Sequence, residues 1–333
     1  MLTITLQPRG LTTGGVGKIR QLTAPIILAS LAWGTLASSA QEQLFEVNDQ
    51  VRASGGIGYS FIKGDEIVYD GDGNRISHLI WESQAPTVNA AVQADFAHGW
   101  SLRASGTMAM SGNSRMEDYD WLDPYFVSYD FNDWTHRSIH PDTQLHHYFT
   151  GDVAFGRDLP LGAAILNLNV GAKYTSVFWT AFGGSFVYSD TGYRADIGSF
   201  QDGQPSISFQ QRYPGVFVGA DLEATAGRWS FEGQVRGGVS IGATDTDHHW
   251  ARNLRFEERY GVIPFATAAA RVGYAFNDNA SFFLGGNFDQ YFHKIGDATL
   301  YSISTGAQGP TYRNGAGMTL RAITVTGGFK ARF

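Results

Sequence analysis

The chain has 333 residues, of which 17% are charged against an ordinary share of about 25%, with 14% aromatics, 41 glycines and no cysteine. Three of its 24 basic residues and none of its 31 acids fall within the first 40 positions, so a formal charge of −7 becomes −10 over the remainder. This excludes a disulfide framework and thiol chemistry, and argues against a nucleic-acid partner.

Residues 1–40 combine a basic leader ending at Arg20, an apolar run over 22–36 and the small residues Ser38 and Ala40 before Gln41. This pattern resembles a cleaved signal peptide; the apolar run is shorter than the roughly 20 residues a spanning helix needs. The remainder, 41–333, reads as one domain. Within it, alternating runs occur at about 50–68, 75–96, 99–112, 143–157, 163–188, 206–223, 228–243, 258–276, 280–296 and 316–333. Ten is an even number, as bacterial outer-membrane barrels require. In the run from 228, Trp229, Phe231, Val235, Val239 and Ile241 share one parity, and Arg228, Glu232, Gln234, Arg236 and Ser240 share the other. The last run closes on Ile323, Val325, Phe329, Ala331 and Phe333 against Thr324, Thr326, Lys330 and Arg332. A period of two with one greasy face describes a lipid-facing strand. A mean hydropathy of −0.18 does not contradict this, because lipid-facing and lumen-facing residues cancel.

Short connections are expected near His98, at 158–161, at Ala226 and at 277–279, and long ones over 113–142, 189–205, 244–257 and 297–315. The expected fold is all-β: a ten-stranded antiparallel transmembrane barrel whose long strands carry it above the outer membrane. Pro86 interrupts the second run and predicts a bulge or break, since proline cannot donate to the ladder. Asp70-Gly-Asp-Gly-Asn74 reads as a turn.

The long connections hold the chemistry. Asp118 and Asp120 form one pair at i, i+2; Asp245, Asp247 and His249 extend the same spacing. In extended backbone such residues share a face. Asp247 beside His249 is a base with an orienting carboxylate, and Asp118 with Asp120 can keep a proton between them and hold a water. On spacing alone, Asp-x-Asp in a loop is more often a solvated turn.

The segments Asp118-Tyr-Asp-Trp-Leu-Asp123, Ile139-His-Pro-Asp-Thr-Gln-Leu145 and Asp245-Thr-Asp-His-His249 resemble the omptin family of outer-membrane proteases. So do Gly183-Gly-Ser-Phe-Val-Tyr188, Asp196-Ile-Gly-Ser-Phe200, Gln211-Arg212 and Asn314-Gly-Ala-Gly317, in the same order. The resemblance implies a ten-stranded barrel with an acidic cleft on the cell exterior, an endopeptidase cutting polypeptides next to Arg or Lys, often at dibasic sites. Asp247 and His249 match the family's Asp–His dyad, Asp118 and Asp120 its Asp couple. Glu66 and Asp245 match the acidic base of the pocket for the residue before the cut. His140 matches a histidine near the cleft, with a loop-anchoring role as the alternative, and His248 should point away. No metal or cofactor is implied. Lipopolysaccharide is expected as an outer-membrane lipid partner and activator, held on the outer wall; Arg212 matches one basic position, whereas Val177, Thr175 and Gly261 stand where the family has charged residues. Arg259 or Lys173 is the candidate substitute. The competing readings are a non-proteolytic barrel that binds surface ligands as an adhesin, a passive channel, and a lipid hydrolase, for which no activated nucleophile is found.

Parity raises one objection. Continuing Trp229 to Ile241 turns Asp245, Asp247 and His249 outward, and continuing Trp100 to Met110 does the same to Asp118. A cleft site therefore demands a change of phase near Gly242 and another near Gly112.

Overall fold

The computed structural model describes residues 47–333, with side chains described from Val51 onward; the signal peptide expected at 1–40 lies outside the described residues. In chain order the strands are β1 (Val47–Tyr69), β2 (Arg75–Phe96), β3 (Trp100–Ala109), β4 (Asn113–Asp120), β5 (His136–Leu161) and β6 (Ala164–Phe182). There follow β7 (Ser185–Tyr188), β8 (Asp196–Ser199), β9 (Pro205–Ala226), β10 (Trp229–His249), β11 (Leu254–Asn277), β12 (Ala280–Ser302) and β13 (Gln308–Arg332). Pairing is antiparallel throughout, and runs β3-β2-β1-β13-β12-β11-β10-β9-β6-β5, closing where β5 meets β3. Because β4 continues β3 between β2 and β5, the ring has the ten positions expected from the alternating runs. The β7–β8 hairpin adds to the upper edge of β5.

The wall is inverted relative to a soluble protein. Val235 is 59% exposed and its neighbour Arg236 is 5% exposed. Ile57, Val88, Val218, Leu284, Val325 and Phe329 face outward like Val235, forming an apolar belt around the ring. Inside, charged residues pair: Arg236 with Asp152 at 2.6 Å, Arg52 with Glu223 at 2.6 Å, and Lys173 with Asp289. Exposed apolar rows with buried ion pairs are stable only where lipid is the outer solvent.

One end of the barrel carries the turns 97–99, 162–163, 227–228 and 278–279; the other carries 70–74, 121–135, 183–204, 250–253 and 303–307. The short connections fall at or beside the expected positions except the one expected at 158–161, where β5 stays paired with β6 through Leu161 and turns only at 162–163, and the long ones are shorter than expected. Half of 113–142 and most of 244–257 and 297–315 is strand: β4, the start of β5, the last turn-ward residues of β10, the start of β11, and the facing ends of β12 and β13. Asp118, Asp120, Asp245, Asp247 and His249 thus stand on strands rather than on loops. At the β1–β2 turn, Asp70 Oδ1 accepts from the amides of Asp72 and Asn74, which is the turn expected there.

Pro86 departs from expectation on one edge only. Register with β1 passes through the Tyr59–Pro86 pair unbroken. The irregularity falls on the other edge, where Val88 pairs with Met108 but Gln84 pairs with Asn113, one residue out of step. This offset is the phase change required near Gly112.

Above the belt, the interior fills with aromatic rings. Trp81 of β2, Trp179 of β6 and Phe209 of β9 stack with centroids 5.8–6.4 Å apart. Trp179 Nε1 donates across the barrel to Ser83 Oγ at 2.8 Å. A Cβ on Gly64 would lie 2.9 Å from the Trp179 ring, so glycine there leaves the ring its place. Below this floor lies a charged cavity of about 170 Å³ lined by Arg103, Asp152, Asp221 and Asp289, among others.

Candidate active site

The phase of β10 reverses at Gly242. Below it Arg236 and Ser240 point in; above it Ala243, Asp245, Asp247 and His249 do, with Asp245 and Asp247 each 1% exposed. Gly242 has φ +73°, where L side chains are strained, and on the β9 side the register slips between Ser240–Gly215 and Thr244–Arg212. β11 changes phase at the same height: Ile263 and Phe265 are buried below Gly261, Tyr260 and Glu258 above it. Both parity objections are met by bulges at the two expected positions.

These bulges bring the two acidic pairs toward one another from opposite walls. His249 Nε2 lies 2.5 Å from Asp247 Oδ2. Arg252, in the turn after β10, donates to His249 Nδ1. A guanidinium cannot accept, so these partners assign the neutral tautomer with its proton on Nε2. On the facing wall Asp118 Oδ1 accepts from Ser77 Oγ at 3.2 Å. Asp120 pairs in register with His136 of β5, whose Nδ1 is 2.9 Å from Thr135 Oγ1.

Burial pushes the Asp118 carboxyl well above the usual range, and the charge of Asp120 pushes it further; Arg252 and Ser77 pull the other way. Asp120 is also raised by burial, against hydrogen bonding from Ser77 and electrostatic attraction to His136, Arg252 and His249. Two carboxylates so placed titrate as one unit. The raised carboxyls favour keeping a proton between them, with the imidazole on the wall opposite.

A second cluster lies beside the dyad. Glu66 of β1 is 2% exposed, and its carboxyl meets that of Asp247. Burial, then the charges of Asp247, Glu258 and Asp245, push Glu66 well above the ordinary range. Asp245 is raised in the same way by burial and by Glu258. Tyr260 Oη lies 2.9 Å from Asp245 Oδ2 and 2.5 Å from Glu258 Oε2. Among the described residues, none of Glu66, Asp245 and Glu258 has a Lys or Arg partner within ion-pair distance.

The remaining candidates fall away from this centre. His140 is 1% exposed, bonds Ser138 Oγ at 2.9 Å and stacks on Phe200 of the 183–204 connection. That is the loop-anchoring arrangement, and burial lowers its pKa. His248 points away from the cleft, stacked on Trp250. Arg212 is on the outer wall. Val177 and Thr175 are buried and face inward, so they are not part of that wall. Lys173 is likewise inside, bound to Asp289 and Thr267, and cannot serve as an outer-wall cation. Arg259 is exposed on the wall; Arg212 and Arg259 both pair in register with Thr244, one on each side. Sequence reasoning missed Arg252, Glu258, Tyr260 and His136. Only Glu258 left a signal: in a hairpin turning at 250–253 it is the residue opposite Asp245.

The omptin family model matches residues 47–333, the whole described barrel. The chain belongs to the omptin family. Among its relatives, Protease 7 of Escherichia coli (strain K12) is 29% identical, with 94% of this chain and 97% of that protein covered. The plasminogen activator of Yersinia pestis is 26% identical, with 81% and 86% covered. The crystal structure of the outer membrane protease OmpT from Escherichia coli superposes with a TM-score of 0.78 at 27% identity, covering 87% of this chain and 98% of that one. This omptin is therefore an outer-membrane β-barrel endopeptidase acting on polypeptides, and its strand count and barrel order agree with that membership.

Proposed function

We propose that this barrel hydrolyses polypeptides beside Arg or Lys by direct attack of water, with Asp247 and His249 on one side of the scissile carbonyl and Asp118 and Asp120 on the other. The observation that carries the reading is the convergence of the two pairs from opposite walls above the aromatic floor, which occurs only because β10 and the β3–β4 position both change phase. His249 Nδ1 is the basic nitrogen, since Nε2 faces Asp247. In the free enzyme Arg252 caps Nδ1, and a water replaces the guanidinium when substrate enters. The imidazole accepts a proton as the water oxygen bonds the carbonyl carbon; the imidazolium formed is held by Asp247 and returns the proton to the leaving amine. The couple, retaining one proton, donates toward the water or the developing oxyanion. No acyl-enzyme forms.

The basic side chain before the cut enters toward Glu66 and Asp245, whose buried carboxylates lack a cation of their own. An arginine can be held there by two oxygens at once. We place the cleft on the cell exterior, because the end with short turns faces the periplasm in barrels of this type. For a lipopolysaccharide partner, support comes from Arg212 and Arg259, which flank Thr244 just above the belt where lipid phosphates would lie.

The test is cleavage of a quenched fluorescent Arg-Arg peptide by refolded protein, with and without lipopolysaccharide, beside a folded His249→Ala variant. We expect rapid cleavage that falls by about 10² to 10⁴ in the variant, the ordinary worth of a general base. Equal turnover by both proteins would overturn the assignment of the dyad. A folded wild type that cuts nothing in either condition would favour an adhesin-like binder.

A further inference from the structure

Glu258 stands directly opposite Asp245 on the neighbouring strand, and both are buried, at 3% and 1% exposure. Like charges in facing cross-strand positions repel, and burial removes the water that would screen them. The hydroxyl of Tyr260 touches both carboxyls, yet it has only one hydrogen to donate. The second contact is a hydrogen bond only if the carboxyl on that side carries its own proton.

The groups facing Glu258 supply no compensating cation. Asp245 and Asp247 come from β10 and Glu66 from β1; Tyr213 of β9 approaches through Asp245, and on β12 the opposite residue is Ala298. Among the described residues, the polar atoms of this cluster buried without a hydrogen-bond partner include Glu66 Oε2, Asp245 Oδ1, both carboxyl oxygens of Asp247 and the hydroxyl of Tyr213. All but the hydroxyl are carboxyl oxygens, so the missing partner is a hydrogen-bond donor, and the acidic surroundings call for a positive one.

We infer that Glu258 is a third carboxylate of the pocket for the basic side chain, and that the Asp245–Glu258–Tyr260 contact stores a proton that an entering guanidinium or ammonium displaces to solvent. The inference rests on the proposed cleavage beside basic residues and deepens it, because it makes affinity for the basic side chain depend on pH through the pocket and not through the dyad. Burial holds the Glu258 carboxyl up at about 7, against hydrogen bonds from Asp245 and Tyr260, so exchange of the proton for a cation falls in the neutral range. Below that pH the incoming cation must compete with the proton; above it the pocket is already ionised.

The experiment measures binding of an uncleavable Arg-Arg peptide, with a reduced bond at the cut, by fluorescence anisotropy from pH 5.5 to 8.5. Its partner peptide carries neutral citrulline at the position before the cut. Wild-type protein is expected to bind the arginine peptide at least about fivefold more tightly at the alkaline end, with no such rise for citrulline. Glu258→Gln is expected to weaken arginine binding and flatten the pH response, and in cleavage assays to raise KM by a larger factor than it lowers kcat. Glu258→Asp should restore part of the pH response. An unchanged pH response in Glu258→Gln, or equal binding of citrulline and arginine, overturns the inference. Absence of any cleavage by wild-type protein, with the binding results as expected, would instead overturn the proposed chemistry while leaving the pocket intact.

Discussion

Gly242 of β10 faces Gly261 of β11, and both strands turn their side chains over at this pair. The two glycines mark the height at which a lipid-facing ladder becomes a cleft wall. Below them odd residues of β10 meet lipid; above them the same parity carries Asp245, Asp247 and His249 into the barrel.

A Cβ at Gly242 meets nothing within 4 Å, so a substitution there is costly through backbone strain alone. Gly242→Val should destabilise the barrel by about 1–2 kcal/mol, read from urea unfolding in detergent, and should depress kcat/KM by a larger factor as the dyad loses its direction. Gly112 works differently. Its Cβ would lie 2.5 Å from the Gln84 carbonyl oxygen and 2.6 Å from Ala85 Cβ, so Gly112→Ala must push β2 and the β3–β4 position apart. Wild-type kcat/KM in Gly242→Val would mean the phase change has another origin.

The Arg252 charge lowers the pKa of Asp118 and of Asp120. Its removal in Arg252→Gln raises both, so the couple keeps its protons to higher pH. If turnover needs the couple at least singly ionised, the acidic limb of the pH–rate profile moves upward in the variant. A limb that stays in place would separate Arg252 from the couple.

Burial raises the carboxyls of Glu66, Asp245 and Glu258 above their values in the unfolded chain. For an acid raised on folding, the folded state binds the proton more tightly. The stabilisation is full below the ordinary carboxylate pKa and is lost as pH rises through the folded value, about 7 for Glu258. The barrel should therefore have a higher urea midpoint at pH 5.5 than at pH 8, and Glu66→Gln should narrow that gap. A midpoint that climbs from pH 5.5 to 8 in wild type would contradict the burial of uncompensated carboxylates at the rim.

Lys173 and Asp289 are 6% and 4% exposed inside the barrel, with Thr267 bonded to both. Lys173→Met leaves the Asp289 charge buried without its partner, which costs about 3–5 kcal/mol. The double variant Lys173→Met, Asp289→Leu should recover most of it. Denaturant unfolding decides the matter, and a cost below about 1 kcal/mol for the single change would place water where the ion pair is drawn.

Alternation made the ten-stranded ring legible, since Val235 and Arg236 must face different solvents. It failed where both faces are wet: above the belt the residues of β4, the upper ends of β10 and β12, and the start of β11 lose the period of two, and they read as loops. The parity conflict at Asp118 and at Asp245 was visible in the sequence and correctly demanded two bulges, although only glycines at 112 and 242 suggested where. Glu258 was hidden for a different reason. Its partner is set by hairpin register, and a run misread as a loop has no register to count from. Val177 and Thr175 stand where the family has charged residues, but they follow the inward phase of β6 that also buries Asn169, Lys173 and Trp179, so the strand's own alternation places them inside.

The stacked rings of Trp81, Trp179 and Phe209, tied across the barrel by the Trp179–Ser83 bond, separate two bodies of water. A polypeptide that enters the mouth has no exit through the wall's interior. Fragments cut above the rings therefore leave on the side of the cleft and not down the lumen.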